Sequence, residues 1–129
     1  MYNIVGDIQK TAVRQYPQRI LDKDGNERDH IRTRWWGQGA STYRSVAMMD
    51  DKTRQTLSDQ PVPAEVLPGY ADNKPVFVGH YWLRGTPEPM SDRVACLDYT
   101  VTEPAPAGKL TAYRWAGEAS IKPDGYLWV

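Results

Sequence analysis

Cysteine, phenylalanine and net charge are what this chain has least of. A single cysteine, Cys96, stands among 129 residues, so no internal disulfide is available. A chain of this length does not need one, because folding buries roughly two thirds of the surface that the unfolded form exposes. No charged n-region with an apolar h-region precedes a small-residue cleavage site. The length suits a single domain, and the lone thiol together with the missing leader pattern leads to the expectation of a reducing, cytoplasmic setting. Apolar runs stop after a handful of residues, too few to span a bilayer, so no membrane partner is expected. Sixteen basic residues offset sixteen acidic ones; with no net field to draw in a polyanion, nucleic acid is not an expected partner either. Also missing are a Gly-rich phosphate loop, a nucleophile elbow and a zinc-binding cysteine pair.

Against these absences stand five tryptophans and eight tyrosines. Rings with a polar tip favour half-buried positions where the tip finds a partner, in a groove, an interface or a small core. Arg28, Arg32 and Arg34 fall beside Trp35 and Trp36. That mixture suits gripping a phosphate or stacking on a base, and it equally suits arginine stems laid over tryptophans as surface cover.

Along the chain, Tyr2 to Ile8 reads as a buried strand turning at Gly6. From Lys10 to Ile20 the pattern is mixed and Pro17 interrupts it, which predicts a loop or frayed turn. Asp22 to Glu27 is a turn, and the run after it has a strand period. That period puts His30, Arg32 and Arg34 on one face and Ile31, Thr33 and Trp35 on the other. Gly37 to Gly39 opens a loop, a short element follows, and Asp50 or Asp51 caps a helix running to about Leu57. Prolines 61, 63 and 68 limit the next stretch to one helical turn near Ala64 to Leu67, stopped by Gly69. Val76 to Val78 gives the strongest strand signal, wholly apolar, as for a strand covered on both faces. Two more strands, Arg93 to Val101 and Lys109 to Gly117, are joined closely enough to pair antiparallel, and "YLWV" suits a last edge strand after the "KPDG" turn. The sum is an α+β fold dominated by mostly antiparallel sheet, with one or two short helices.

His80 sits where an apolar strand ends and Gly79 lets another group approach, a common geometry for a ligand or catalytic histidine and also for a packed one. His30 has no companion at metal-ligand spacing, and Cys96 within "VACLD" reads as a small buried hydrophobe.

The blocks "DKDGNERDHIRTRWW", "TYR", "LPGY", "KPVFVGHYWLRGTPEPMSDRVACLDYTV" and "GKLTAYRW" run in order from about Leu21 to Trp115. They resemble the C-terminal part of bacterial calcineurin-like metallophosphoesterases, of the serine/threonine protein phosphatase or diadenosine tetraphosphatase type. The opening "MYNIVGDIQK" resembles the family's first strand, with Gln9 in place of a ligand histidine and Lys10 in place of a glycine. The family's Gly-Asp-x-x-Asp-Arg and Gly-Asn-His-Glu/Asp motifs, and its further histidine, have no counterpart in this sequence.

The resemblance implies a partial calcineurin-like fold with the middle of the enzyme removed. It implies a divalent metal (Mn, Fe, Zn or Mg) held by His80 and Asp7, a phosphorylated small molecule or phosphoprotein as substrate, and Arg32, Arg34, Tyr81 and Trp82 as contacts to phosphate or substrate. A two-metal centre holds its ions about 3.5–4 Å apart with about three protein ligands each. Two ligands fall short of that, so the expectation is a phosphoesterase relative with at most trace activity. The rival expectation is a non-catalytic binding or self-association module that uses exposed strand edges and aromatics.

Overall fold

The computed structural model of the chain describes residues 13–129 apart from 23, 38, 40, 66 and 68, with side chains described from Tyr16 onward. The strand read at Tyr2 to Ile8, and with it Asp7, lies outside the described residues. The chain divides into two compact units, one ending at Tyr70 and the other Ala71–Val129. Both are sheet-rich with few and short helices, and no helix among the described residues is long and apolar enough to cross a membrane.

In the first unit, strand β1 (Val13–Leu21) pairs antiparallel with β2 (Glu27–Arg32) through the turn at Asp22 to Asn26. Asp22 builds that turn by accepting the backbone N–H groups of Asp24 and Asn26, both at 2.9 Å. The loop expected from Lys10 to Ile20 is therefore a strand over most of its length. Pro17 is tolerated because the register shifts between Gln15 and Ile20, where the ladder asks for no N–H. On β2 and just beyond it the alternation largely holds: Ile31, Thr33 and Trp35 are buried, while His30 and Arg34 are exposed and Arg32 is half-buried.

Helix α1 (Tyr43–Val46) begins in a capping box. Ser45 N–H donates to Thr42 Oγ1 at 3.2 Å, and Thr42 N–H donates to Ser45 Oγ at 2.9 Å. Asp50 caps helix α2 (Asp51–Arg54) by accepting Thr53 N–H at 2.9 Å, and tighter turns carry the chain on to the buried Leu57. The helices close the core over the hairpin, where Tyr16, Ile20, Ile31, Val46, Ala47 and Leu57 pack together.

The second unit begins with β3 (Val76–Val78), which pairs in parallel with β4 (Val94–Cys96). The all-apolar run implied cover on both faces, but Phe77 is 38% exposed and its valine neighbours are half-buried. The physical reason is that β3 has one strand neighbour among the described residues, so sequence hydrophobicity overstates its burial there. It is β4 that is wholly buried. The single strand expected from Arg93 to Val101 is split, because the chain changes partners. Leu97 N–H still donates to Val78 C=O at 3.0 Å, whereas β5 (Asp98–Tyr99) already pairs with β6 (Lys109–Tyr113). A 3-10 turn at Pro123–Gly125 then feeds β7 (Tyr126–Trp128), an edge strand antiparallel to β6, as the sequence suggests. Ala95, Ile121 and Tyr126 centre the core, with Leu97 and Tyr113 against them.

Candidate functional site

Because β3 and β4 run parallel, the chain must return from the end of one to the start of the other, and the crossover from 79 to 93 carries His80, Tyr81 and Trp82. The turn out of β3 is abrupt. His80 adopts φ 66° and Trp82 φ 51°, and Thr100, across from them, adopts φ 55°. For bulky or branched residues this left-handed region costs roughly 1–2 kcal/mol each, so something must hold it. Asp98 does. One carboxylate oxygen accepts Trp82 N–H at 3.2 Å, the other accepts Thr100 N–H at 3.3 Å, and its carbonyl accepts Leu83 N–H at 2.9 Å. Thr100 Oγ1 completes the clamp by donating to Leu83 C=O at 2.7 Å. Farther along, Arg84 pairs with Glu103.

What this clamp presents is an exposed imidazole set edge-on to an exposed indole, His80 against Trp82 with centroids 5.7 Å apart at 80°. Tyr81 is half-buried. Among the described residues no three His, Cys, Asp or Glu side chains converge where a metal would sit. The described residues therefore do not supply the ligand set that the phosphoesterase resemblance requires, and Asp7 is not among them. Cys96, beneath the clamp, is buried, and that burial pushes its thiol pKa up, which suits a packing residue and not a nucleophile.

Arg32 and Arg34 belong to the first unit, away in sequence from the crossover. The tryptophans next to them do not offer open faces. Trp35 is 2% exposed and meets Trp36 edge-on at 5.6 Å and Tyr70 at 6.0 Å. A hollow of about 330 Å³ lies by the hairpin turn, lined in part by Asp22, Arg28, His30 and Asp50. Its polar groups face one another. Arg28 Nε donates to Asp22 at 3.1 Å, His30 Nδ1 lies 2.7 Å from Asp29, and Asp50 is spent on its helix cap. Backbone N–H donation from Asn26 holds the Asp22 carboxyl below the usual range, and the His30 hydrogen bond does the same for Asp29.

An exposed apolar face of the second unit is one the sequence did not single out. In the register Thr111↔Trp128, Ala112↔Leu127 and Tyr113↔Tyr126, opposed residues share a face. Leu110 exchanges both backbone hydrogen bonds with Val129, at 3.0 and 3.1 Å, which continues that register by one pair. The inner face carries Tyr113 and Tyr126, rings edge-on at 5.3 Å. Burial raises the Tyr126 phenol well above its ordinary pKa, so this face stays neutral. The outer face carries Leu110, 63% exposed, Leu127, 47%, and Val129, 90%, with Ala112 also exposed between them. The signal was present as strict alternation in "KLTAY" and "YLWV". Alternation does not say which face turns inward when both carry large side chains.

Comparison with protein-family models, with curated proteins and with solved structures returns no match for this chain.

Proposed function

We propose that this chain is a non-catalytic binding module that offers to another polypeptide the outer face of its β5-β6-β7 sheet and the β7 edge that no other described strand covers. The observation that carries the reading is the grouping of Leu110, Leu127 and Val129 in solvent, on strands whose opposite face packs Tyr113 and Tyr126 into the core. Single exposed apolar residues are ordinary, whereas a contiguous set marks a contact surface. In a double variant, Leu110→Lys with Leu127→Lys, nothing buried is lost. Urea unfolding should therefore stay within about 0.5 kcal/mol of the parent, while fluorescence of the apolar dye bis-ANS falls. If the double variant loses its fold, the face is core and the reading fails.

A second reading, a metallophosphoesterase relative with at most trace activity, is favoured by one observation: Gly79 and His80 directly follow β3, where the resemblance puts a metal-binding histidine at a strand end. Such a relative would be hydrolytic by descent and would take a phosphorylated small molecule or a phosphoprotein. Purified protein with manganese and p-nitrophenyl phosphate should turn over far more slowly than the ordinary range of about 1–1000 s⁻¹. A rate inside that range, abolished by His80→Ala, would overturn the expectation of trace activity.

A further inference from the structure

We propose that the outer edge of β7, which no other described strand covers, pairs with β7 of a second copy, antiparallel, about a two-fold axis at Leu127. The proposal rests on the binding-module reading and names its partner. Several backbone groups of β7 are already used. Val129 bonds inward to Leu110, and Gly125 C=O accepts Arg114 N–H at 2.9 Å. Alternation along the strand then turns Trp128 N–H, Trp128 C=O and Tyr126 C=O away from β6. Tyr126 N–H is spent on Pro123 C=O.

The outward donor and the outward acceptor are thus two residues apart on one strand, a spacing that satisfies itself by symmetry. With Leu127 opposite its own image, each Trp128 N–H donates to the other copy's Tyr126 C=O, and the two bonds form together. Charge does not oppose this, since residues 126–129 carry no ionisable side chain except the Tyr126 phenol, which points into the core and stays neutral. Strand edges that avoid self-pairing usually carry a lysine, a proline or a bulge, and β7 has none of these within Tyr126–Trp128. Pairing would also carry the outer apolar face, Leu110 and Leu127 included, across six strands.

Light scattering behind size exclusion, run on the whole chain over a hundredfold range of concentration, should show mass rising from monomer towards dimer. Trp128→Pro deletes the outward N–H and leaves the β6 ladder untouched, so it should weaken the dimer at least tenfold. Because that variant risks misfolding, a covalent test accompanies it. Leu127→Cys sits at a non-hydrogen-bonded pair on the axis, with Cα atoms about 4.5 Å apart. On mild oxidation it should give a disulfide-linked dimer, whereas Leu110→Cys, one strand in from the axis, should not. The parent chain is the control, its Cys96 being buried. Monomer at every concentration overturns the proposal, as does a dimer without the Leu127→Cys crosslink. A monomer whose Leu110→Lys, Leu127→Lys variant still folds and loses dye binding overturns the self-pairing alone, and leaves the binding-face reading with a different partner.

Discussion

Trp35→Ala is expected to destabilise the first unit by about 3–5 kcal/mol, the range for emptying a buried tryptophan site. Stability of the whole domain class is only about 5–15 kcal/mol, so this one change removes a large part of it. Trp35 is nearly inaccessible and is held between the edges of Trp36 and Tyr70, so its removal leaves a void that flanking aromatics cannot collapse into without losing their own contacts. Urea unfolding followed by far-ultraviolet circular dichroism measures the change without depending on tryptophan emission. The matched control is Trp82→Ala in the second unit. Trp82 is 67% exposed, and its truncation should cost about 0.5 kcal/mol or less. Equal losses at the two positions would show that the assignment of core and surface tryptophans is wrong.

Gly108→Ala is expected to cost about 3 kcal/mol, the upper end of overpacking, because the intruding methyl meets backbone and not a movable side chain. A Cβ at Gly108 would lie 2.1 Å from Glu103 O and 2.5 Å from Thr100 O. These carbonyls are fixed by the loop that joins β5 to β6, where Glu103 N–H donates to Thr100 C=O at 2.9 Å and Gly108 N–H donates to Pro104 C=O at 3.3 Å. Relief requires opening that loop, and β5 holds only two registered pairs with β6, Asp98↔Leu110 and Tyr99↔Lys109. Because Leu110 N–H points to β7, the neighbouring Lys109 N–H faces β5, and faster amide exchange at Lys109 should therefore accompany the loss in denaturant stability. Gly79→Ala supplies the contrast. Nothing lies within 4 Å of a Cβ there and its φ is not positive, so a change above about 0.5 kcal/mol would count against this account.

Local rules were legible where one residue type admits one arrangement. Asp22 to Asn26 had to turn, the cap lay at Asp50 or Asp51 and falls on Asp50, and the alternation after Glu27 separated Ile31, Thr33 and Trp35, which are buried, from His30, Arg32 and Arg34 without any knowledge of what covers them. Pro17 misled because a missing N–H forbids a regular ladder but not a bulged one. Val76 to Val78 misled because hydrophobicity records what a strand tolerates, not how many neighbours it obtains. The position of His80 just past a strand end was legible too, whereas the clamp that forces its backbone left-handed depends on Asp98 and Thr100, eighteen and twenty positions on.

By itself, then, the amino-acid order determined the local steps of this protein: its turns, its helix caps, the alternation of its strands and the sheet-rich balance of its secondary structure, since each of these is decided by φ preference, donor count or side-chain period within a few residues. Tertiary structure alone decided which apolar faces were covered. Tyr113 and Tyr126 went inward and Leu110, Leu127 and Val129 stayed in solvent, because burial belongs to the pairing of distant segments, and a strand carrying large side chains on both sides holds no local record of which side its partners will take.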